Sequence, residues 1–156
     1  MKNFVTAVFA SLVYIFAGSS SAQSGVAKIE RMMNACFNAP DSFSQMESCV
    51  FDAWQYCRDT EWDGAGVSRG ICNGPLVEQT DNALNDSYRN LLDRLSELPW
   101  ADAVINDLKT AQRSWISTRD LTCEFYENSI HGTGSTHHAT CIAKITMHRI
   151  WLLNDF

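Results

Sequence analysis

The sequence has few basic residues and, beyond its first 22 positions, no long hydrophobic run. It holds 12 Lys and Arg against 18 Asp and Glu, a formal net charge of −6. An acidic chain is a poor match for nucleic acid or an anionic membrane surface, and a better match for a cationic partner. The lack of a second apolar run argues against a membrane-spanning segment after residue 22.

Several signatures of enzymes are also missing. There is no His-Glu-x-x-His motif, and no closely spaced cysteine pairs of the kind that bind zinc. The stretch HGTGS at 131–135 has no flanking strand, so it does not match the turn that presents a nucleophilic serine. The acidic residues are scattered, without the facing carboxylates that a glycosidase requires. We therefore expect no catalytic activity and no cofactor.

Residues 1–22 have the pattern of a secretory signal peptide. Lys2 precedes the apolar run FVTAVFASLVYIFAG, and small residues at Ser20 and Ala22 indicate cleavage after Ala22. An uncleaved anchor is the alternative, which the shortness of the run disfavours. Because Lys2 is the only charged residue removed, cleavage would change the net charge from −6 to −7. We expect a secreted or periplasmic protein without stable membrane association. The predicted cleavage point has no cysteine to carry a lipid, so we do not expect a lipid anchor.

All six cysteines lie in the part predicted to be exported. They are Cys36, Cys49, Cys57, Cys72, Cys123 and Cys141. An even number in a small exported domain is typical of a disulfide framework. Cys49 and Cys57 are eight residues apart on one predicted helix, about 12 Å, which is too far for a disulfide. Other pairings stay open, and the local solution is Cys36–Cys49, Cys57–Cys72 and Cys123–Cys141.

Apolar residues recur at spacings of three and four in four segments, which predicts amphipathic helices. The predicted helices span about 43–58, 75–98, 100–130 and 137–153. Residues 23–36 form a short helix at best, and 58–74 is predicted as a loop, with Pro75 placed to begin the next helix. There is no strand pattern and no internal repeat. These elements predict an all-α fold, a small antiparallel helical bundle with three disulfides.

The same spacing predicts which side chains face inward. On the third long helix these are Val104, Leu108, Ala111, Trp115, Thr122 and Tyr126. On the last helix they are Cys141, Ile145, Arg149 and Leu152. The five tryptophans could form a glycan-binding surface, but we expect most of them in the core. Trp62 is the one expected to be exposed, because its predicted loop is polar.

Two arginines lie on these otherwise apolar faces. Trp115, Arg119 and Cys123 are four apart and so form one line on a helix, and Arg149 repeats the pattern near the C-terminus. A guanidinium can be buried only where carboxylates and carbonyls accept its five donors. The alternative is that both side chains extend to the surface with only their stems packed.

The same part of the sequence offers partners for those arginines. Gln112 lies on the same helix face, and Asp120 and Glu124 lie beside it. We interpret the set as a partly buried polar network near one end of the bundle, with Trp115 close to Arg119.

Three blocks then resemble a known family. They are LNDSYRNLL (84–92), LKTAQRSWISTRDLTC (108–123) and GTGSTHHATCIAKITMHRIWLL (132–153). Their order and content resemble the LprI-like lysozyme inhibitor family. The matching residues are Leu84, Asn85, Tyr88, Gln112, Trp115, Arg119, Asp120, Cys123, Gly134, Ser135, Cys141, Thr146 and Arg149. The preceding cysteine-rich segment, 57–72, also resembles the family and supports pairing Cys57 with Cys72.

The resemblance covers about 57–153 and suggests a division of the chain. We predict a signal peptide at 1–22, an N-terminal helical extension at 23–56 and an LprI-like helical domain at 57–156. The resemblance implies an exported helical protein, and some members of the family are regarded as lysozyme inhibitors. It supplies no inhibitory residues, and the motif residues, Asn85 and Tyr88 among them, are interpreted as a structural network.

One loop is a candidate for the inhibitory surface. The connection NSIHGTGSTHH, residues 128–138, offers hydrogen-bond donors at His131, Ser135, His137 and His138. Such donors could meet the two catalytic carboxyl groups in the cleft of a cationic lysozyme-type muramidase. A disulfide at the loop's base would reduce the ordering cost of binding. The alternative is an ordinary polar connection between helices.

Two other functions remain open on the sequence. The protein could be a periplasmic binding module for peptidoglycan or an envelope protein. It could also bind a metal through His131, His137, His138 and His148, since imidazole suits Zn²⁺ and Cu²⁺.

Overall fold

The computed structural model describes residues 20–38, 40–61, 66–131 and 137–156. The helices are α1 (Ser20–Cys36), α2 (Phe43–Glu61), α3 (Gly66–Ser96), α4 (Ala101–Tyr126) and α5 (His137–Asp155). A π-helical turn, Glu127–His131, continues α4. No strand occurs within the described ranges, and the predicted all-α bundle with three disulfides is confirmed. None of the helices in those ranges is both long enough and apolar enough to cross a membrane.

The three disulfides join Cys36 to Cys49, Cys57 to Cys72 and Cys123 to Cys141, as the local solution predicts. Their Cα atoms lie 5.6, 5.7 and 5.6 Å apart, inside the usual range for this bond. The closed loops span 13, 15 and 18 residues. Loops of this length contribute roughly 3 kcal/mol each in the chain-entropy picture.

The first helix is longer than the sequence predicts. Most of the predicted signal peptide lies outside the described residues, and α1 begins at Ser20, so the predicted cleavage site falls in its first turn. Ile29 and Met33 are fully buried and Cys36 is 5% exposed. Tertiary packing of one apolar face stabilises a helix that its local sequence alone supports weakly.

Helix α2 follows its predicted pattern. Met46, Val50, Ala53 and Cys57 are buried at the expected spacing. The start of the helix is capped by Ser42, whose Oγ accepts a hydrogen bond from the backbone N–H of Gln45 at 3.2 Å. Side chains of α1 and α2 join those of α3 and α5 in one buried cluster. The predicted boundary at residue 56 therefore does not coincide with a boundary of the core.

The predicted start of α3 at Pro75 is wrong. The helix begins at Gly66, and Pro75 lies within it. The segment before Pro75 is held against α2 by the Cys57–Cys72 disulfide and by a hydrogen bond from Trp54 Nε1 to Asn73 Oδ1 at 3.1 Å. These tertiary contacts offset the backbone hydrogen bond that proline cannot donate.

The inner faces of the last two helices also differ from the prediction. On α4, Ala111 and Tyr126 are exposed. On α5, Leu152 is 48% exposed. The buried residues of α5 are Ala139, Ile142, Ala143, Thr146, Met147, Ile150 and Leu153. This stripe is wide because α2, α3 and α4 all pack against α5.

Three of the five tryptophans belong to the core, as expected for most of them, and Trp100 is an exception. Trp54 is 8% exposed, and Trp115 and Trp151 are partly buried. Trp100, in the turn between α3 and α4, is 63% exposed. Trp62 lies outside the described residues, so its expected exposure stays a prediction.

Candidate functional site

One guanidinium is almost fully buried where α3, α4 and α5 meet. Arg119 is 8% exposed. Its Nη1 donates hydrogen bonds to Oδ1 of Asp81 at 2.7 Å and to Oγ1 of Thr146 at 3.0 Å. Its Nε donates to Oδ1 of Asp120 at 2.9 Å. The side chain thus lies inside a polar network, and it does not extend to the surface.

A second arginine reaches the same region from α5. Nε of Arg149 donates to Oε1 of Gln112 at 2.9 Å. The guanidinium carbons of Arg119 and Arg149 lie 5.3 and 5.7 Å from the centroid of the Trp115 ring, within the range of cation–π attraction. Burial lowers the pKa of Arg149 from its usual value. An arginine pKa starts so high that the side chain stays protonated at any ordinary pH.

The pairings in the network also show the relative direction of α4 and α5. Arg119 pairs with Thr146, whereas Gln112, two turns earlier on α4, pairs with Arg149, which comes later on α5. The two helices therefore run antiparallel. The partners of both arginines are side chains of this chain, and Asp81 and Asp120 are 40% and 53% exposed. The arrangement fits a structural cross-link between three helices.

The sequence did not point to every member of this network. Asp81 was missed, although it lies three residues before Leu84 on the apolar stripe of α3, where a carboxylate is unexpected. Glu124 was expected nearby, but its side chain is exposed and Asp120 takes the role. Asn85 and Tyr88 lie farther along α3 and line a separate groove with other polar residues.

Exposed apolar side chains gather at the C-terminal end of α4. Leu121 is 66% exposed, Phe125 59% and Tyr126 45%. Leu121 and Phe125 are four residues apart and so lie next to each other on the helix. The rings of Phe125 and Tyr126 meet edge to face, with centroids 5.9 Å apart. We call these three residues the apolar end patch. Contiguous exposed apolar side chains of this kind often mark an interaction site.

Comparison with known families decides the relationship that the motifs suggest. The family model described as "Lysozyme inhibitor LprI" matches residues 57–153. The chain belongs to the LprI lysozyme inhibitor family. The corresponding searches of curated proteins and of solved structures give no match.

The LprI match contains the whole polar network and the apolar end patch. It begins at Cys57, whose disulfide partner Cys72 lies inside the matched range, and it ends at Leu153. The arginine network therefore belongs to the LprI part of the molecule. Helix α1 and most of α2 precede the match.

The predicted loop of the LprI region is described only at its edges. Ser135 lies outside the described residues, and nothing is described of the His131 side chain. His137 is exposed at the start of α5. Nδ1 of His138 lies 3.1 Å from Oε2 of Glu127 in the π-helical turn, so the two ends of the connection are close together. The Cys123–Cys141 disulfide joins the two helices four residues before Glu127 and three residues after His138.

The three histidines on α5 of this LprI protein do not come together at one site. His137 and His148 are eleven residues apart on the same helix, about 16 Å at 1.5 Å per residue. The His148 ring packs against Phe43, with centroids 4.1 Å apart. His148 therefore cannot share an ion with His137 or His138. Over the described ranges, no group of three or more His, Cys, Asp or Glu residues is placed to hold a metal.

Proposed function

We propose that this protein is an exported, non-catalytic inhibitor that binds a cationic lysozyme-type muramidase and blocks its active-site cleft. The LprI lysozyme inhibitor match over residues 57–153 is the observation that carries the proposal. Three disulfides support export, because such bonds form and persist in oxidising compartments. Secretion or release into the periplasm would place the protein where muramidases act.

We assign the inhibitory surface to the end of the bundle where α4 passes into α5. The apolar end patch lies there, just before the connection 128–138 in the sequence, and His137 at the start of α5 is exposed. A shallow cavity of about 570 Å³ opens between the two helices, lined by Tyr126, His137 and Ile145 among others. Apolar anchors beside hydrogen-bond donors form a suitable surface for entering an enzyme cleft.

Charge and rigidity both favour such an encounter. The chain carries a net charge of −6, and Asp120 and Glu124 are exposed next to the apolar end patch. An acidic surface raises the rate of association with a cationic enzyme. Cys123 is fully buried and bonded to Cys141, which fixes both helix ends that carry the surface. A surface fixed before binding loses less entropy when the complex forms.

The decisive experiment is a lysozyme activity assay with the purified, fully oxidised protein. We expect stoichiometric inhibition of a cationic lysozyme and no turnover of cell-wall substrate by the protein alone. Retention of full lysozyme activity at a large excess of inhibitor would contradict the proposal. Hydrolysis of cell-wall substrate by the protein alone would contradict the non-catalytic part of the proposal.

Variants locate the surface. Changing Leu121 and Phe125 together to Ser should weaken inhibition by at least about tenfold, because buried aromatic and aliphatic anchors dominate interface energies. Leu152→Ser is the matched control, since Leu152 is 48% exposed on α5 and lies outside the proposed surface. An equal effect of both changes would argue against this location.

The histidines of the connection are tested separately. Changing His137 and His138 to Ala should lower the affinity measured by calorimetry, because the donors offered to the cleft carboxyl groups are lost. Ser135 and His131 form a second pair of substitutions for the same measurement. Unchanged affinity in both variants would leave the apolar end patch as the binding surface and remove the connection from the proposal.

A further inference from the structure

An open groove lies between α3, the end of α1 and the last turn of α5, with a volume of about 920 Å³. Seven of its fourteen lining residues carry side-chain amides. Helix α3 supplies Gln79, Asn82, Asn85 and Asn90. The others are Asn34, Asn38 and Asn154. We call this feature the amide groove.

The composition of the amide groove is unlike the rest of the molecule. The chain has ten asparagines, and six of them line this one feature. Within the described part of the chain, no hydrogen bond joins any of the seven amide side chains to another protein group. Each amide carries two donor hydrogens and an acceptor oxygen, so the groove offers a dense set of both.

Two of the polar lining residues are nearly buried. Gln79 and Ser87 are each 6% exposed, and neither side chain hydrogen-bonds to the described protein. The polar atoms of both side chains nevertheless reach solvent, because neither residue has a buried polar atom without a partner. Both side chains line the amide groove, so these atoms can bond to a ligand that occupies it.

The charges of the lining cancel locally. Asp86 and Arg89 are its only charged residues, and they form an ion pair with each other. A ligand for this groove therefore needs many hydroxyl or amide groups and no net charge. Tyr88 and Phe37, both half-buried, add aromatic surface to the same lining.

We propose that the amide groove binds an uncharged oligosaccharide. Sugar hydroxyl and acetamido groups present closely spaced donors and acceptors, which match convergent side-chain amides. An extended peptide fits less well, because helices present no sheet edge to its backbone and the lining has few apolar pockets for its side chains. The inference gives a role to Asn85 and Tyr88, the motif residues that lie outside the arginine network. It goes beyond the proposed inhibition and does not depend on it.

The test is calorimetric titration of the oxidised protein with two probes. One probe is the β-1,4-linked tetramer of N-acetylglucosamine, and the other is the corresponding tetramer of glucose. The variant changes Asn82 and Asn85 together to Ala, which leaves the core intact because both side chains are exposed. The matched control is Asn106→Ala, an exposed asparagine on α4 that does not line the groove.

We expect at least one tetramer to bind, and the paired substitution to weaken binding by about tenfold, since each lost hydrogen bond is worth a fewfold change in affinity. Asn106→Ala should leave the affinity unchanged. Binding of neither tetramer at concentrations up to roughly 10 mM, the weak end of specific recognition, would overturn the proposal. So would binding that the paired substitution does not alter, or binding of an uncharged Gly-Ala peptide in place of both sugars.

Discussion

The buried arginine gives the sharpest test of how this bundle is held together. Asp81→Asn keeps the shape of the side chain and removes its charge. Arg119 would then retain Asp120 and Thr146 as partners but lose the carboxylate at 2.7 Å. We expect this substitution to lower the free energy of unfolding, because a guanidinium that is 8% exposed cannot recover its hydration.

The size of the expected loss in unfolding free energy depends on how deeply Arg119 and Asp81 are buried. Removing one partner of a fully buried ion pair costs about 3–5 kcal/mol. Asp81 is 40% exposed, and a second carboxylate still contacts Arg119. The expected loss is therefore smaller, about 1–2 kcal/mol. Surface ion pairs give a contrasting scale, since they contribute about 0–1 kcal/mol.

The assay is urea unfolding of the oxidised protein followed by circular dichroism. With a slope of about 2 kcal/mol per molar urea, the middle of the usual range, the midpoint for Asp81→Asn should fall by roughly 0.5–1 M while the slope stays constant. The matched control is Asp86→Asn, whose ion pair with Arg89 is 66–69% exposed on the same helix. Its midpoint should barely move. Equal midpoints for the two variants would refute the argument that burial makes the Arg119 network matter.

Three further predictions concern other parts of the molecule. Replacing Cys123 and Cys141 by Ser should lower the free energy of unfolding by about 3 kcal/mol in thermal melts and weaken inhibition, because both helix ends are released; an unchanged melt would contradict this. Met147→Ala should cost about 3 kcal/mol in the same melts and Leu152→Ala less than about 0.5, since Met147 is fully buried and Leu152 is 48% exposed; the reverse order would contradict the observed inner face of α5. Raising salt from about 0.05 to 0.5 M should slow association with a cationic lysozyme on the order of tenfold in stopped-flow measurements, and a rate insensitive to salt would exclude electrostatic steering.

The spacing of apolar residues predicts where the helices lie better than it predicts which face of each helix is buried. The disulfide pairing is predictable because each pair closes a short loop, and the stripe from Met46 to Cys57 is regular. The face of α5 is not predictable in the same way, since three helices pack against it and its buried stripe is wide. The start of α3 depends on a disulfide and on Trp54, which are contacts with another helix and leave no periodic signal around Pro75.

Of the two candidate sites, only one has a local signal in the sequence. An arginine in an apolar stripe indicates the Arg119 network, because a buried cation requires partners nearby. Its main partner, Asp81, lies 38 positions away on another helix. The amide groove is assembled from three helices, so its asparagines are distributed along the sequence without any local pattern.

The LprI match begins at Cys57, yet Ile29, Met33, Met46 and Val50, all upstream of it, are among the most deeply buried side chains. A fragment that begins at Cys57 would expose the apolar surface of α3 and α5 that these side chains cover, and we expect it to aggregate. A homologue that has only the matched region would need to cover the same surface in another way, with bulkier side chains or with a second subunit.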